Sequence, residues 1–225
     1  LRLEDPVLGR ISPAEFIPIA EKSGMIVDVG LLALEKVCSF ISQLEEQGIP
    51  FDAISLNLSP LQITDPAIVE KILKVIEETG ANPSKIRFEI TESTLLDEFD
   101  TIKIKMEQLG KHGIRFYLDD FGTGCSNLAM LVQLNFEAIK LDKSLLTNTF
   151  QCNDKELIGE FISIFQDFGW KVVVEGVEHK IQQRMVMDYG ADFIQGFYYS
   201  RPVSGEETME YLLGKNPDQE SKSSH

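Results

Sequence analysis

Short apolar runs rich in branched residues recur roughly every 25 to 35 residues, with longer amphipathic stretches between them, and few folds accept that alternation. Runs of this kind suit strands buried in a sheet, and the stretches between them suit helices that cover it. The pattern therefore predicts repeated strand-helix units and a parallel sheet. Six strands are expected: Ala53 to Asn57, Ile86 to Ile90, Ile114 to Leu118, Ala138 to Leu141, Lys171 to Val174, and Asp192 to Ile194. Helix ends are legible too. Ser12-Pro13-Ala14-Glu15 has the form of a capping box with proline at the first helical position, and Asp65-Pro66 repeats the cap-then-proline start. Gly80 and Gly110 stand where helices should stop.

The spacing of the units fits either a barrel or an open doubly wound sheet. A glycine-rich nucleotide fingerprint would favour the open sheet, and neither GxGxxG nor GxxxxGKS/T follows any of the six runs. The expectation is an α/β chain forming a TIM-like (β/α)8 barrel. Such a barrel has eight strands, which places the first one or two ahead of Leu1. Residues 1–214 then make one domain, a size at which barrels commonly run as a unit. Residues 215–225 are polar, charged and serine-rich, and are expected to be a disordered tail.

Charge narrows the partners. Asp and Glu outnumber Lys and Arg by 36 to 21, giving a formal charge of -15 and a pI near 4.6. Duplex DNA and anionic membranes select basic faces, so neither is expected as a direct partner. An anionic substrate would need a cation as mediator. Cys38, Cys125 and Cys152 show no CxxC or Cys/His ligand spacing, which argues against a disulfide framework and a zinc site and fits a reducing cytoplasm. No apolar run reaches the roughly 18 to 20 residues of a membrane span, although a parent protein could be membrane-anchored.

In a (β/α) barrel the C-terminal strand ends converge on one mouth, so what terminates each run is the test of function. In order these residues are Asn57, Glu89, the pair Asp119-Asp120, Lys140 with Asp142, Glu175 with Glu178, and Gln195-Gly196. One such carboxylate alone usually caps a helix, as Asp119-Asp120 could. Six polar ends in a row are harder to explain that way, because caps do not call for Asn, Lys and Gln as well. Asn57, Glu89 and Asp119 offer oxygen ligands only, which suit Mg2+ or Mn2+ better than zinc. Asp120 and Glu175 could hold a second ion, with Asp119 bridging. Two such ions would activate a water and neutralise phosphate charge during an in-line displacement. Lys140 lies between the apolar Ile139 and Leu141 and would supply a fixed positive charge at the nucleophilic water or the transition state.

The segment Asp119 to Asn127, DDFGTGCSN, has two glycines and a threonine directly after a strand. It reads either as a plain turn or as a loop that moves to place Asp119 and Asp120. Cys125 within it reads as an incidental small residue, and His112, His179 and His225 have no ligand partner at useful spacing.

Taken with ISPAEFIPIAEKSG at 11–24, NLSPLQ at 57–62, FEITES at 88–93, DDFGTG at 119–124, IKLD at 139–142, EGVE at 175–178 and QGFYYSRP at 195–202, the chain resembles the EAL family of bacterial cyclic dimeric GMP phosphodiesterases. The resemblance runs from Leu1 to about Val203. It implies a barrel whose first strand is antiparallel, and two Mg2+ or Mn2+ ions that hydrolyse cyclic dimeric GMP (c-di-GMP) to linear pGpG. By resemblance, Asn57, Glu89, Asp119, Asp120 and Glu175 hold metal, while Lys140, Glu175 and Gln195 serve the chemistry. Arg2, Asp142 and Arg201 contact substrate. Phe121, Gly122, Thr123 and Gly124 belong to a loop that governs a homodimer, and an upstream sensory or GGDEF domain is a typical companion.

Two departures stand out. Leu1-Arg2-Leu3 matches the tail of the name-giving Glu-Ala-Leu motif, whose glutamate would precede Leu1, and Cys125 and Asn127 replace the usual tyrosine and serine. The first keeps a rival reading open, a c-di-GMP receptor or interaction module that does not cleave. A third reading, an unrelated metal-assisted barrel enzyme with a lysine base, predicts no binding of the dinucleotide.

Overall fold

The computed structural model describes residues 3–7, 9–124, 128–151 and 156–214. Arg2, Cys125, Asn127, Cys152 and the 215–225 tail lie outside the described residues.

The chain enters through a hairpin that the sequence patterning does not announce: β1 (Leu3–Asp5) pairs antiparallel with β2 (Gly9–Ile11). Helix α1 (Pro13–Ser23) follows from the expected capping box, in which Ser12 Oγ accepts from the Ala14 N–H and Glu15 Oε2 accepts from the Ser12 N–H. Helix α2 (Ile26–Glu46) leads to the first strand of the main sheet.

That sheet has six parallel strands: β3 (Ile54–Asn57), β4 (Ile86–Thr91), β5 (Arg115–Phe121), β6 (Ala138–Leu141), β7 (Lys171–Val174) and β8 (Phe193–Ile194). They are hydrogen-bonded in chain order, β3 to β8. All six expected strands are present, two with the expected bounds and four with an end shifted by one to three residues. The intervening helices are α3 (Pro60–Thr64), α4 (Ile68–Thr79), α5 (Glu92–Gly110), α6 (Leu128–Leu131), α7 (Lys143–Gln151), α8 (Glu156–Asp167), α9 (Lys180–Asp188) and α10 (Gly205–Leu212). The curled sheet with its helices is the expected TIM-like (β/α) arrangement in partial form. None of the described helices is long and apolar enough to cross a membrane.

The two faces of each strand explain why the sheet curls around a site. Ile86, Phe88, Ile90, Leu118, Ile139, Leu141, Val172 and Val174 point to the helix side and are at most 1% exposed. They pack against Ile68, Ile72 and Ile76 of α4, Ile102 and Leu109 of α5, and Ile158, Ile162 and Phe165 of α8. Burying a side chain of this size contributes about 1.5 to 3 kcal/mol, so this face carries most of the stability. The alternate residues, among them Glu89, Tyr117 and Lys140, line a concave cleft of roughly 440 Å3.

One expected helix start is corrected. Asp65-Pro66 does not open α4, which begins at Ile68. Instead Asp65 builds the turn between α3 and α4. Its carboxylate accepts from the Ala67 N–H at 2.9 Å and pairs with Lys71 at 2.6 Å, while its carbonyl accepts from the buried Lys105 ammonium. Hydrogen bonds hold this carboxyl below the usual range: the one from Lys71 first, then the one from the Ala67 N–H. Sequence spacing could not show that the partner arrives from α5, 40 residues on.

Candidate metal centre at the strand ends

The site is assembled by strand register. Asn57 pairs with Glu89, and Glu89 with Tyr117, while Thr91 pairs with Asp119. Asn57, Glu89 and Tyr117 therefore share one level, and Asp119 stands two residues further toward the C-terminal edge of the sheet. Asn57 is exposed there, and Glu89 and Asp119 are 7% and 8% exposed.

Successive residues of a regular strand face opposite sides, so Asp119 and Asp120 should not serve one site. Strand β5 breaks that rule. Its register against β6 shifts between Leu118 and Phe121, and Asp120 sits at φ 56°, the left-handed region that only Asn, Asp and Gly enter readily. Among the described residues, no other non-glycine has positive φ. Such a backbone costs of order 1–3 kcal/mol and needs support. The consequence is a shared site: carboxylate oxygens of Asp119, Asp120 and Glu175 lie within 4.8 Å of one another.

Lys140 enters from β6, itself buried, with its ammonium 2.7 Å from Asp119 Oδ1, 2.7 Å from Glu175 Oε1 and 3.1 Å from Glu89 Oε1. Burial alone would push its pKa down, but the three carboxylates outweigh it and hold the ammonium charged, above the usual lysine range. Burial also raises Glu175, opposed by Lys140. Asp120 is raised by burial and then by the neighbouring Asp119 and Asp142. With Asp120 beside Asp119 and Glu175, four carboxylates share one ammonium, an excess of negative charge that a divalent cation would relieve. The donors are all oxygens, as Mg2+ or Mn2+ prefers, so the residues fit such an ion.

The remaining sequence candidates fall less centrally. Gln195 lines the cleft beside Glu175's strand, its N–H donating to Val174 O at 2.9 Å. Asp142 uses Oδ1 to accept from the Ser144 N–H at 2.8 Å as α7 begins. Arg201 is exposed, with its guanidinium 4.7 Å over the Phe197 ring. Phe121 closes β5, and its ring meets Phe165 edge-on at 4.8 Å and Phe161 at 5.8 Å, which anchors the loop's first residue in the core.

Sequence reasoning does not single out Glu92. It is 2% exposed at the first position of α5, and its Oε2 accepts from the N–H groups of Gly122 and Gly124 at 3.1 and 3.2 Å. A Cβ on Gly122 would lie 2.6 Å from Leu145, and one on Gly124 3.0 Å from the Glu92 carboxylate, so both glycines are needed for this approach. Thr123 closes the same turn by bonding Asp120 O through its N–H and its hydroxyl. In sequence Glu92 looks like an ordinary helix-start acid; only the fold brings a loop 30 residues away onto it. Replacing Glu92 with Ala should speed amide exchange at Gly122 and Gly124 by roughly ten- to hundredfold, the worth of charge-assisted bonds. Unchanged protection of these two amides would show that the loop is held by other contacts.

Residues 1–202 match the family model described as EAL domain. The bifunctional diguanylate cyclase/cyclic di-GMP phosphodiesterase MucR of Pseudomonas aeruginosa is 31% identical over 210 residues, which are 93% of this chain and 31% of that protein. The oxygen sensor protein DosP of Escherichia coli is 33% identical over 217 residues, 96% of this chain and 27% of that protein. A solved structure described as PaMucR phosphodiesterase, c-di-GMP complex, superposes with a TM-score of 0.86 at 32% identity, covering 92% of this chain and 84% of that one. The chain spans about a third or less of the length of these two curated relatives.

Proposed function

The chain belongs to the EAL domain family, and from that premise we propose that it is a metal-dependent phosphodiesterase acting on c-di-GMP to give linear pGpG. The observation that carries this reading is the convergence of Asp119, Asp120 and Glu175 on one point, with Lys140 bonded to Glu89, Asp119 and Glu175. Two Mg2+ or Mn2+ ions bound there would activate a water and neutralise phosphate charge. Asn57, Glu89, Asp119, Asp120 and Glu175 would hold them.

The chain's own residues do the rest. Lys140 keeps its proton at Nζ and fixes three carboxylates in one geometry, so they need no reorganisation when the phosphodiester arrives. Gln195 orients the water or phosphate from the neighbouring strand. Arg201, with Arg2 and Asp142, recognises the anionic or guanine parts of the ligand. The loop from Phe121 to Gly124, tethered through Glu92, sets the position of Asp120. An upstream sensory or GGDEF domain, a homodimer and a cytoplasmic setting accompany this reading.

Incubation with c-di-GMP and Mg2+, followed by chromatography, tests it: pGpG should accumulate and chelation should stop it. The rival reading takes the same cleft, lined by Glu89, Lys140 and Gln195, as a binding site only. That reading is a receptor that binds the dinucleotide without cleaving it. Saturable binding with no pGpG in the presence of either ion would establish the receptor instead.

A further inference from the structure

Asn57 is an exposed amide at a strand end, where nothing in its own strand fixes its direction, and the residues after it form a braced turn. On one side the Leu58 N–H continues the ladder to Glu89 O at 2.9 Å. On the other, the Ser59 N–H donates to Gln62 Oε1 at 3.1 Å, and the Gln62 N–H donates to Ser59 Oγ at 3.3 Å. Gln62 is only 5% exposed, in a helix of five residues that is too short to hold itself together. What holds the amide is the backbone of α2: a Cβ on Gly30 would lie 1.9 Å from Gln62 Nε2. A glycine inside a 21-residue helix weakens that helix, and here it makes room for a buried amide from another element.

We propose that Gln62, seated against Gly30, is a positioning residue for Asn57, fixing the turn so that Asn57 faces the metal centre beside Glu89. The proposal rests on the reading of Asn57 as a metal-holding residue. Losing the Gln62 bond frees the Ser59 N–H and lets residues 57–59 shift, and a ligand must sit within about 0.5 Å of its working place.

The test is Mn2+ titration followed by electron paramagnetic resonance, with thermal melts alongside. Gln62→Leu and Gly30→Ala should each weaken Mn2+ binding about tenfold, as supporting residues around metal sites typically do. Gly30→Ala is informative because alanine strengthens α2 while displacing only the Gln62 amide. It also keeps the proposal testable if Gln62→Leu does not fold. Gln62→Glu should bind nearly as the parent, because glutamate is the usual capping-box partner for the Ser59 N–H. If Asn57→Ala weakens Mn2+ binding but Gln62→Leu and Gly30→Ala do not, the positioning role is overturned. It is overturned equally if Gln62→Glu is as weak as Gln62→Leu. If Asn57→Ala itself leaves binding unchanged, the metal reading of Asn57 fails and the proposal falls with it.

Discussion

Replacing Lys140 with methionine should destabilise the chain by about 3–5 kcal/mol and cut any phosphodiesterase rate by about a hundred- to a thousandfold. The stability loss follows from what stays behind. Methionine fills much of the same volume, but Glu89, Asp119 and Glu175 keep their carboxylates at 8–15% side-chain exposure with their common cation gone. Replacing a whole buried ion pair with apolar groups is often neutral; removing one partner is not, because the other charges remain buried and unpaired. A divalent ion can substitute for part of the missing charge. Added Mg2+ should therefore raise the urea midpoint of Lys140→Met more than that of the parent chain. A variant as stable as the parent without Mg2+ would mean that the three carboxylates are neutralised by something other than Lys140.

Arg87→Met tests the opposite end of the same sheet. Arg87 Nε lies 2.7 Å from Glu137 Oε2, and Lys171 Nζ lies 3.3 Å from Glu137 Oε1, so β4, β6 and β7 are tied together at their N-terminal ends. At Nε the pair is held by charge rather than by an aligned hydrogen bond, since neither Arg87 Nε nor Glu137 Oε2 has a hydrogen-bond partner in good geometry among the described residues. Arg87 also donates from Nη1 to Ser84 O at 2.6 Å. The expected loss is about 3 kcal/mol, at the low end for a broken buried pair, because Glu137 keeps the 45%-exposed Lys171. Unlike Lys140→Met, this variant should leave Mn2+ binding unchanged and show no rescue by Mg2+. In barrels the N-terminal face serves stability and the C-terminal face chemistry, and the two substitutions should separate along that line. A parallel loss of metal binding in Arg87→Met would contradict the division.

Much of the fold is legible in local pattern. The apolar runs predict six parallel strands because a strand buried on its helix side must be apolar there wherever it pairs. Ser12-Pro13-Ala14-Glu15 predicts the start of α1 because its bonds close within four residues. Strand-end residues are legible for the same reason: Asn57, Glu89, Lys140 and Glu175 end or adjoin runs whose position is already known.

Asp65-Pro66 misleads because a cap and a turn share the same local residues, and the partner that decides between them, Lys105, lies on another helix. The β1–β2 hairpin escapes notice because three-residue strands are too short to show a period.

The sequence by itself determined the order of the six sheet strands, which residues stand at their ends, and the oxygen-rich chemistry available there, since all of these depend on neighbours a few positions away. Only the tertiary structure decided that Asp119 and Asp120 share one side, that Lys140 bonds three carboxylates, and that Glu92 and Gln62 support the loops around them. Those facts depend on a register shift between strands and on contacts between residues about 20 to 50 positions apart. Burial makes such contacts strong once formed, and no local pattern in the chain records them.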